Sequence, residues 1–115
     1  EMVERRKYSL QSYVDLVSSN AAKIMGLYPR KGAIAVGSDG DIAILDPSRR
    51  GKVRKEDLHE TDYTPWEGHD IFAWPVLTIL RGKVVVENGQ FFGRLGEGRY
   101  LKRKIAAEML NGPAL

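Results

Sequence analysis

Two histidines, His59 and His69, are the first residues whose chemistry could involve a metal. A catalytic zinc site takes three protein ligands and leaves one position open. The two histidines lie ten residues apart, which matches neither a His-x-His nor a His-x-x-x-His pair, and the chain has no cysteine. This spacing favours a polar loop with surface histidines over a metal site. Acidic residues that could complete such a site are Glu56, Asp57, Glu60, Asp62, Glu67 and Asp70.

The sequence supports nucleophilic catalysis and phosphate binding little better than it supports a metal site. Ser18 and Ser19 stand outside any Gly-x-Ser-x-Gly motif, and helix capping explains both serines. Sequence alone does not pair Glu67 with Asp70 as a glycosidase-type acid and base. The glycine-rich segment Gly93–Arg99 precedes a predicted helix, whose N-terminus would attract anions. Its spacing matches neither the dinucleotide fingerprint nor the Walker loop, so a simple turn is favoured.

The segment Arg99–Lys104 is basic and carries one tyrosine, a composition that suits a nucleic-acid backbone. The chain as a whole has 18 basic and 15 acidic residues, which gives a formal charge of only +3. A charge this small favours a solvated face or a subunit contact over nucleic-acid binding.

The composition is that of an ordinary soluble protein, with 29% charged and 43% hydrophobic residues in 115 positions. This length allows one compact domain with a core of its own. The absence of cysteine excludes disulfides, and no apolar run approaches the roughly 20 residues that span a membrane. The first residues are charged and lack the apolar centre of a signal peptide, which predicts a cytoplasmic protein. Because the chain begins at Glu1, we expect a piece of a larger protein.

The amino-terminal part has helical periodicity. Ser9 is a predicted N-cap, and residues at i, i+3, i+4 and i+7 form an apolar stripe. We expect Ser18–Asn20 to interrupt this helix, a second helix to span Ala21–Met25, and Gly26 to end it in the left-handed conformation. The stripe consists of Leu10, Tyr13, Val14 and Val17.

Short strands are predicted from residue 41 onwards. Asp41–Pro47 predicts one strand, and Gly51–Lys55 a second, solvated one. Residues 56–74 lack periodicity and predict a long ordered loop. Val76–Leu80 and Lys83–Glu87 are β-branched runs that flank Arg-Gly, which predicts a hairpin.

The remaining patterns complete an α+β fold with segregated helices and strands. Asn-Gly predicts a further turn, leading into Gln90–Phe92. Apolar spacing from Leu101 to Leu110 predicts a carboxy-terminal helix. Since helices and strands do not alternate, a parallel doubly wound sheet is not expected.

Two longer stretches resemble the amidohydrolase superfamily. Ser19–Pro47 contains Ala-Lys-Ile-Met-Gly-Leu, then Lys-Gly-x-Ile-x-x-Gly-x-Asp-Gly-Asp, which is similar to the stretch that leads into a strand near the carboxyl end of those enzymes. Tyr63–Gly68, Trp74–Gly89 and Gly98–Arg103 resemble the cyclic-amidohydrolase branch, the dihydropyrimidinases and D-hydantoinases. The family often has Pro at position 21 and Ala at position 40, and neither position carries chemistry.

The resemblance implies a (β/α)8 barrel with a binuclear zinc site, flanked by a β-sandwich built from both chain ends. The family's ligands are a His-x-His pair, a carboxylated lysine, two further histidines and an aspartate, and all of them precede the region matched here. We therefore expect no catalytic, cofactor-binding or metal-ligating residue in this chain, and His59 and His69 match no ligand motif.

The fold implied is α+β: the carboxy-terminal part of the sandwich, with helices before it, an arm after it and no barrel. Residues 1–27 would be the last helices adjoining the barrel, 28–98 the sandwich part and 99–115 the arm. The implied partners are the rest of its own chain and further copies in a homotetramer, with no membrane and no nucleic acid.

The function implied is that of a structural and assembly segment. The full-length zinc enzyme would hydrolyse cyclic ureides or imides to N-carbamoyl amino acids, and the segment alone would be inactive. A non-enzymatic, dihydropyrimidinase-related assembly protein and a small basic binding module are the alternatives. Because unpaired strand edges template pairing, we also expect the chain on its own to self-associate.

Overall fold

A computed structural model describes residues 2–58 and 61–111 of the chain. One continuous helical segment comes first: α1 (Leu10–Val14), a π-helical stretch over Asp15–Ser19, and α2 (Asn20–Ile24). The Ser9 hydroxyl accepts a hydrogen bond from the Ser12 amide at 3.0 Å, which confirms the predicted N-cap.

The predicted interruption at Ser18–Asn20 is wrong. Ser19 and Asn20 both have helical backbone angles, and the wider π turn carries the chain past them without a break. The Ser19 hydroxyl donates to the carbonyl of Gly32 at 3.0 Å and caps no helix. A distant partner for this hydroxyl therefore removes the local competition that would have ended the helix.

The end of α2 is a Schellman motif, as the predicted Gly26 cap requires. Gly26 has φ +68°, its amide donates to the Lys23 carbonyl at 2.9 Å, and the Leu27 amide donates to the Ala22 carbonyl at 2.8 Å. The Lys104 amide then donates to the Gly26 carbonyl at 2.9 Å. The carboxy-terminal part of the chain thus crosses directly over this helix end.

The strands form two antiparallel sheets. The strands are β1 (Ile42–Asp46), β2 (Gly51–Lys52), β3 (Asp70–Ile71), β4 (Trp74–Leu80), β5 (Lys83–Glu87) and β6 (Gln90–Phe91). The larger sheet has the order β1-β4-β5-β6, and β2 pairs with β3 in the smaller. A 3-10 turn covers Lys55–Asp57.

These sheets confirm the α+β class with segregated helices and strands. The predicted strand after β1 is shorter than expected, since it pairs over two residues only, and the predicted loop over 56–74 contains β3. Both hairpin turns have a pair of residues with positive φ, which is the type I′ geometry that twisted hairpins favour. These pairs are Arg81 with Gly82, and Asn88 with Gly89.

The predicted helix from Leu101 to Leu110 is wrong over most of its length. Only α3 (Ala107–Leu110) is helical, and Ala106 before it has extended backbone angles. The bond from the Lys104 amide to Gly26 fixes this stretch against α2, and a tertiary contact of this kind overrides the apolar spacing that predicted a helix.

The chain buries very little of itself, contrary to the core that its length allows. Ala22, at 7% exposure, is the one buried hydrophobic residue among those described. The accessible surface is 9319 Å², whereas a compact monomer of this mass would expose about 6,300 Å². The radius of gyration is 16.1 Å, against about 13 Å for a compact domain of this length. The elements form, and much of their apolar surface stays open.

Candidate docking surface

An apolar groove of about 570 Å³ runs between the helical segment and β1. The helical segment contributes an aromatic and two valine side chains from its apolar stripe, and β1 contributes the opposite wall. We call this surface the helix–strand groove, and define it by Tyr13, Val14, Val17, Ile34, Ile42 and Leu45. Ile34 is 88% exposed, so this groove lies open to solvent.

The helix–strand groove follows the free edge of β1. Among the described strands, β1 pairs with β4 only. Ile42 and Ala43 both line the groove, although adjacent residues of a strand point to opposite faces of a sheet. The groove therefore lies along the unpaired edge. From Ile42 to Leu45 this edge carries no charge and no proline that would block a further strand.

A second apolar cleft of about 410 Å³ adjoins the groove and shares Tyr13 and Leu45 with it. Its wall includes Phe72, whose ring has the guanidinium carbons of Arg5 and Arg50 at 5.4 and 5.7 Å from its centre. The contact of Arg5 with this ring holds the first residues of the chain beside the end of β3. The two clefts meet at Tyr13 and Leu45 and together extend the apolar surface beside α1.

A charged cluster fixes the loop that carries Ile34 into the groove. The ammonium of Lys31 pairs with Asp41 and, at 2.9 Å, with Asp39. The guanidinium of Arg30 also contacts Asp39, at 3.0 Å. The backbone amide of Arg81 donates to the second oxygen of Asp41 at 2.8 Å. The loop before β1 is thereby joined to the turn between β4 and β5.

Protonation equilibria in this cluster respond to the ion pairs. The hydrogen bond from Lys31 lowers the pKa of Asp39 below its ordinary value. Partial burial works to raise the pKa of Asp41, but the bonds from Lys31 and Arg81 lower it overall. Partial burial likewise works against the charge of Lys31, yet its two carboxylate partners raise its pKa. No pattern in the sequence predicted this cluster, although Lys31, Asp39 and Asp41 all lie inside the family motif.

Among the residues that the structure describes, His69 belongs to no cluster that could hold a metal ion. Its ring meets the ring of Trp66 edge to face, with 5.5 Å between the centres. Its backbone amide donates to the Trp66 carbonyl at 2.9 Å, within a turn. His59 and Glu60, the other candidate ligands in this loop, lie outside the described residues.

The two carboxylates that sequence analysis left unpaired serve different structural contacts. Glu67 accepts a hydrogen bond from the Lys55 amide at 2.8 Å. Asp70 pairs with the ammonium of Lys52 at 3.1 Å and also with Arg5, and the bond from Lys52 lowers its pKa. These two acidic residues thus connect the loop to neighbouring segments.

Two further acidic candidates, Glu56 and Asp57, lie in the 3-10 turn. Asp57 accepts from the Arg54 amide at 3.1 Å, and Glu56 lies beside it in the 3-10 turn. Within residues 2–58 and 61–111, no group of three or more histidine, cysteine, aspartate or glutamate side chains could hold a metal ion. In the same part of the chain, no helix combines the length and apolar character needed to cross a membrane.

The glycine-rich and basic segments are not parts of a helix. Gly93–Arg99 is irregular apart from one turn at Leu95 and Gly96, and no helix follows it until α3, so the predicted helix N-terminus at this point is wrong. The basic segment Arg99–Lys104 lacks helical structure, and the backbone amide of its last residue donates to the carbonyl of Gly26. Ser18 and Ser19, the other chemical candidates, lie in the π-helical stretch.

Comparison with known proteins confirms the resemblance seen in the motifs. The sequence model of the amidohydrolase family matches residues 2–86. The chain is 42% identical to the D-hydantoinase of Geobacillus stearothermophilus over 104 residues, which cover 90% of this chain and 22% of that protein. It is 40% identical to the D-hydantoinase of Ralstonia pickettii over 103 residues, 89% of this chain and 22% of that protein.

Solved structures show the same relationship. The dihydropyrimidinase from Brevibacillus agri NCHU1002 superposes with a TM-score of 0.85 at 42% identity, over 91% of this chain and 23% of that one. The L-hydantoinase (dihydropyrimidinase) from Arthrobacter aurescens gives 0.78 at 38% identity, over 88% and 23%. The chain therefore spans about a fifth of the length of the relatives it matches.

Proposed function

The chain belongs to the amidohydrolase family, and from this premise we propose that it is the carboxy-terminal structural and assembly segment of a zinc-dependent cyclic amidohydrolase. The relatives that match it are named as hydantoinases and dihydropyrimidinases. We assign the full-length enzyme the same reaction class, the hydrolysis of cyclic ureides or imides to N-carbamoyl amino acids. The segment itself carries no step of this reaction.

The open apolar surface is the observation that supports this proposal. The chain exposes about 3,000 Å² more surface than a compact monomer of its mass, which is the scale of a permanent interface. Permanent interfaces resemble a domain core cut in half, and the helix–strand groove has that apolar character. A partner that covers this surface would complete the core that the chain lacks.

We propose that this partner is the remainder of the same protein. In this arrangement an extended amino-terminal segment pairs with the free edge of β1, and the larger sheet becomes part of a β-sandwich. Residues 1–27 adjoin the barrel, residues 28–98 form the sandwich part, and residues 99–115 form an arm. Further copies assemble with it as a homotetramer.

The described residues do not fit the zinc that the resemblance implies. They contain no group of three or more potential ligands, and the sequence has no cysteine. We therefore assign zinc binding and hydrolysis to the remainder of the enzyme. What this chain supplies is the surface on which that remainder packs.

A chimeric enzyme tests the proposal. In the D-hydantoinase of Geobacillus stearothermophilus, this chain would replace the 104 residues that it matches. We expect the chimera to assemble and to hydrolyse dihydrouracil or a 5-substituted hydantoin, because the apolar surfaces are retained. The relative without any such segment should precipitate or lose activity, since its side of the interface is left exposed.

Two results would contradict the proposal. The first is a truncated relative that keeps its full activity and its oligomeric state without the segment. The second is hydrolysis of these substrates by the chain alone when zinc is added, which would place the chemistry within the chain itself.

A further inference from the structure

A polar cleft of about 610 Å³ lies between the β4–β5 turn and the glycine-rich loop. It is separate from the helix–strand groove and shares no residue with it. Its side chains carry three positive charges and one negative charge, so the lining has a net charge of +2. The lining consists of Arg81, Lys83, Gly96, Glu97, Gly98 and Arg99.

One wall of the cleft is formed by Arg81, whose backbone is in the left-handed conformation. Arg81 has φ +48°, which its place in the type I′ turn requires. Its guanidinium donates to the carbonyl of Glu97 at 2.7 Å and so holds the glycine-rich loop against the turn.

The charges in the cleft are only partly compensated. The carboxylate of Glu97 lies 3.7 Å from the ammonium of Lys83, whose side chain is 75% exposed. Arg99 forms no ion pair with any residue that the structure describes. One acidic residue therefore stands against three cations, and an anion in the cleft would remove the remaining repulsion.

The backbone of the loop adds hydrogen-bond donors. Gly96 has φ +83°, and the Glu97 amide is used in a turn to the Arg94 carbonyl at 3.5 Å. The amides of Gly98 and Arg99 make no hydrogen bond to the described part of the chain. Unpaired backbone amides are strong hydrogen-bond donors, so these two can donate to an anion in the cleft.

We propose that this cleft binds a small phosphate-bearing anion. A phosphate group carries a charge of about −1.5 to −2 at neutral pH, so one or two such groups offset the net +2 of the lining, whereas a single carboxylate would not. Guanidinium groups such as those of Arg81 and Arg99 can donate paired hydrogen bonds to phosphate oxygens. The volume exceeds that of one phosphate, so inorganic pyrophosphate and a nucleoside diphosphate are the two sources of the same chemistry.

Amide chemical shifts of the nitrogen-labelled chain during titration with inorganic pyrophosphate test the proposal. At an ionic strength of about 0.15 M, charges beyond roughly 8 Å are screened. We expect Gly96, Gly98 and Arg99 to shift most. Lys83→Gln and Arg99→Gln should each weaken binding about tenfold, because each removes a charge-assisted contact.

Two further variants test whether removing a negative charge strengthens binding, and provide a control. Glu97→Gln should tighten binding, since it removes the negative charge from the lining. Arg94→Gln should leave the affinity unchanged, because Arg94 belongs to the same loop and does not line the cleft. The spectra of all four variants also report whether each one keeps its fold.

Several outcomes would overturn the proposal: no shifts in this loop at millimolar pyrophosphate, equal affinity for acetate, or the same weakening by Arg94→Gln as by Arg99→Gln. A parallel titration with a nucleoside diphosphate distinguishes the two sources. Tighter binding than pyrophosphate supports a nucleotide, and equal binding supports the inorganic anion.

Discussion

Lys31 lies between two carboxylates, and this arrangement makes the loop before β1 sensitive to pH. Asp39 and Asp41 have lowered pKa values in the folded chain, so their stabilising effect is present above the ordinary aspartate pKa of about 4 and is lost as the pH falls through their folded values. The pKa of Lys31 is raised, so its effect is present below its ordinary value and is lost only as the pH rises through the folded one.

We therefore expect Lys31→Met to lower the urea midpoint of the chain at neutral pH. This difference from the unmodified chain should shrink below about pH 4 and vanish once both carboxylates are protonated. Circular dichroism during urea titrations at several pH values measures it. Lys83→Met is the matched control, because its side chain is exposed and makes a single contact at 3.7 Å. An undiminished effect of Lys31→Met in acid would refute an electrostatic role.

Gly26 is needed for two separate reasons, and a second glycine separates them. Gly26 and Gly68 both have positive φ, so alanine at either position should cost about 1 kcal/mol. A Cβ at Gly26 would also lie 2.8 Å from the Ile105 amide nitrogen, while one at Gly68 would meet nothing within 4 Å. We expect Gly26→Ala to cost at least about 1 kcal/mol more than Gly68→Ala in urea unfolding. Equal costs would mean that the segment around Ile105, which crosses the end of α2, moves aside without a loss of stability.

The role of the helix–strand groove can be tested with two residues of the loop before β1. Ile34 and Val36 are both β-branched and lie in one loop, at 88% and 109% exposure, but only Ile34 lines the groove. In the chimeric hydantoinase, Ile34→Asp should reduce the assembled fraction and the hydrolytic activity together, because a buried unpaired carboxylate is costly. Val36→Asp should change neither, as size-exclusion chromatography and initial rates would show. Equal losses would argue against the groove as the docking site.

Elements with a local signal were predictable from the sequence. Ser9 and Gly26 mark the two ends of the helical segment through capping chemistry that involves only neighbouring residues. The hairpin turns were predictable for the same reason, since their paired residues alone set the twist that joins the strands.

Features that depend on distant partners were not predictable in this way. Ser19 in the π-helical stretch bonds to Gly32, and Lys104 in the extended stretch before α3 bonds to Gly26. The cluster around Lys31 and the helix–strand groove each join segments that are far apart in the sequence. No periodicity in the sequence encodes such contacts, so only the assembled structure reveals them.

The molecule as a whole combines well-formed elements with an incomplete core. The hairpin turns, the cap of α1 and the strand ladders are formed, while large side chains on the helices, on β1 and in the loops stay exposed. Local order of this kind does not require a buried core, but a stable globular monomer does. The chain is therefore expected to bind a hydrophobic dye such as ANS in solution, and to lose that binding within the chimera, where fluorescence can be compared.

Substitutions on two strands test which surface the isolated chain uses to self-associate. Ile44 lies on the edge strand β1 and Val84 on the central strand β5, with nearly equal exposures of 45% and 44%. If association occurs by strand pairing, Ile44→Lys should shift the sedimentation profile towards monomer, since a lysine on an edge strand blocks further pairing. Val84→Lys should have a smaller effect, because β5 pairs with β4 at Val84 and with β6 at Val86 and Glu87. Equal effects would indicate stacking of sheet faces instead, and a strictly monomeric chain at high concentration would refute both modes.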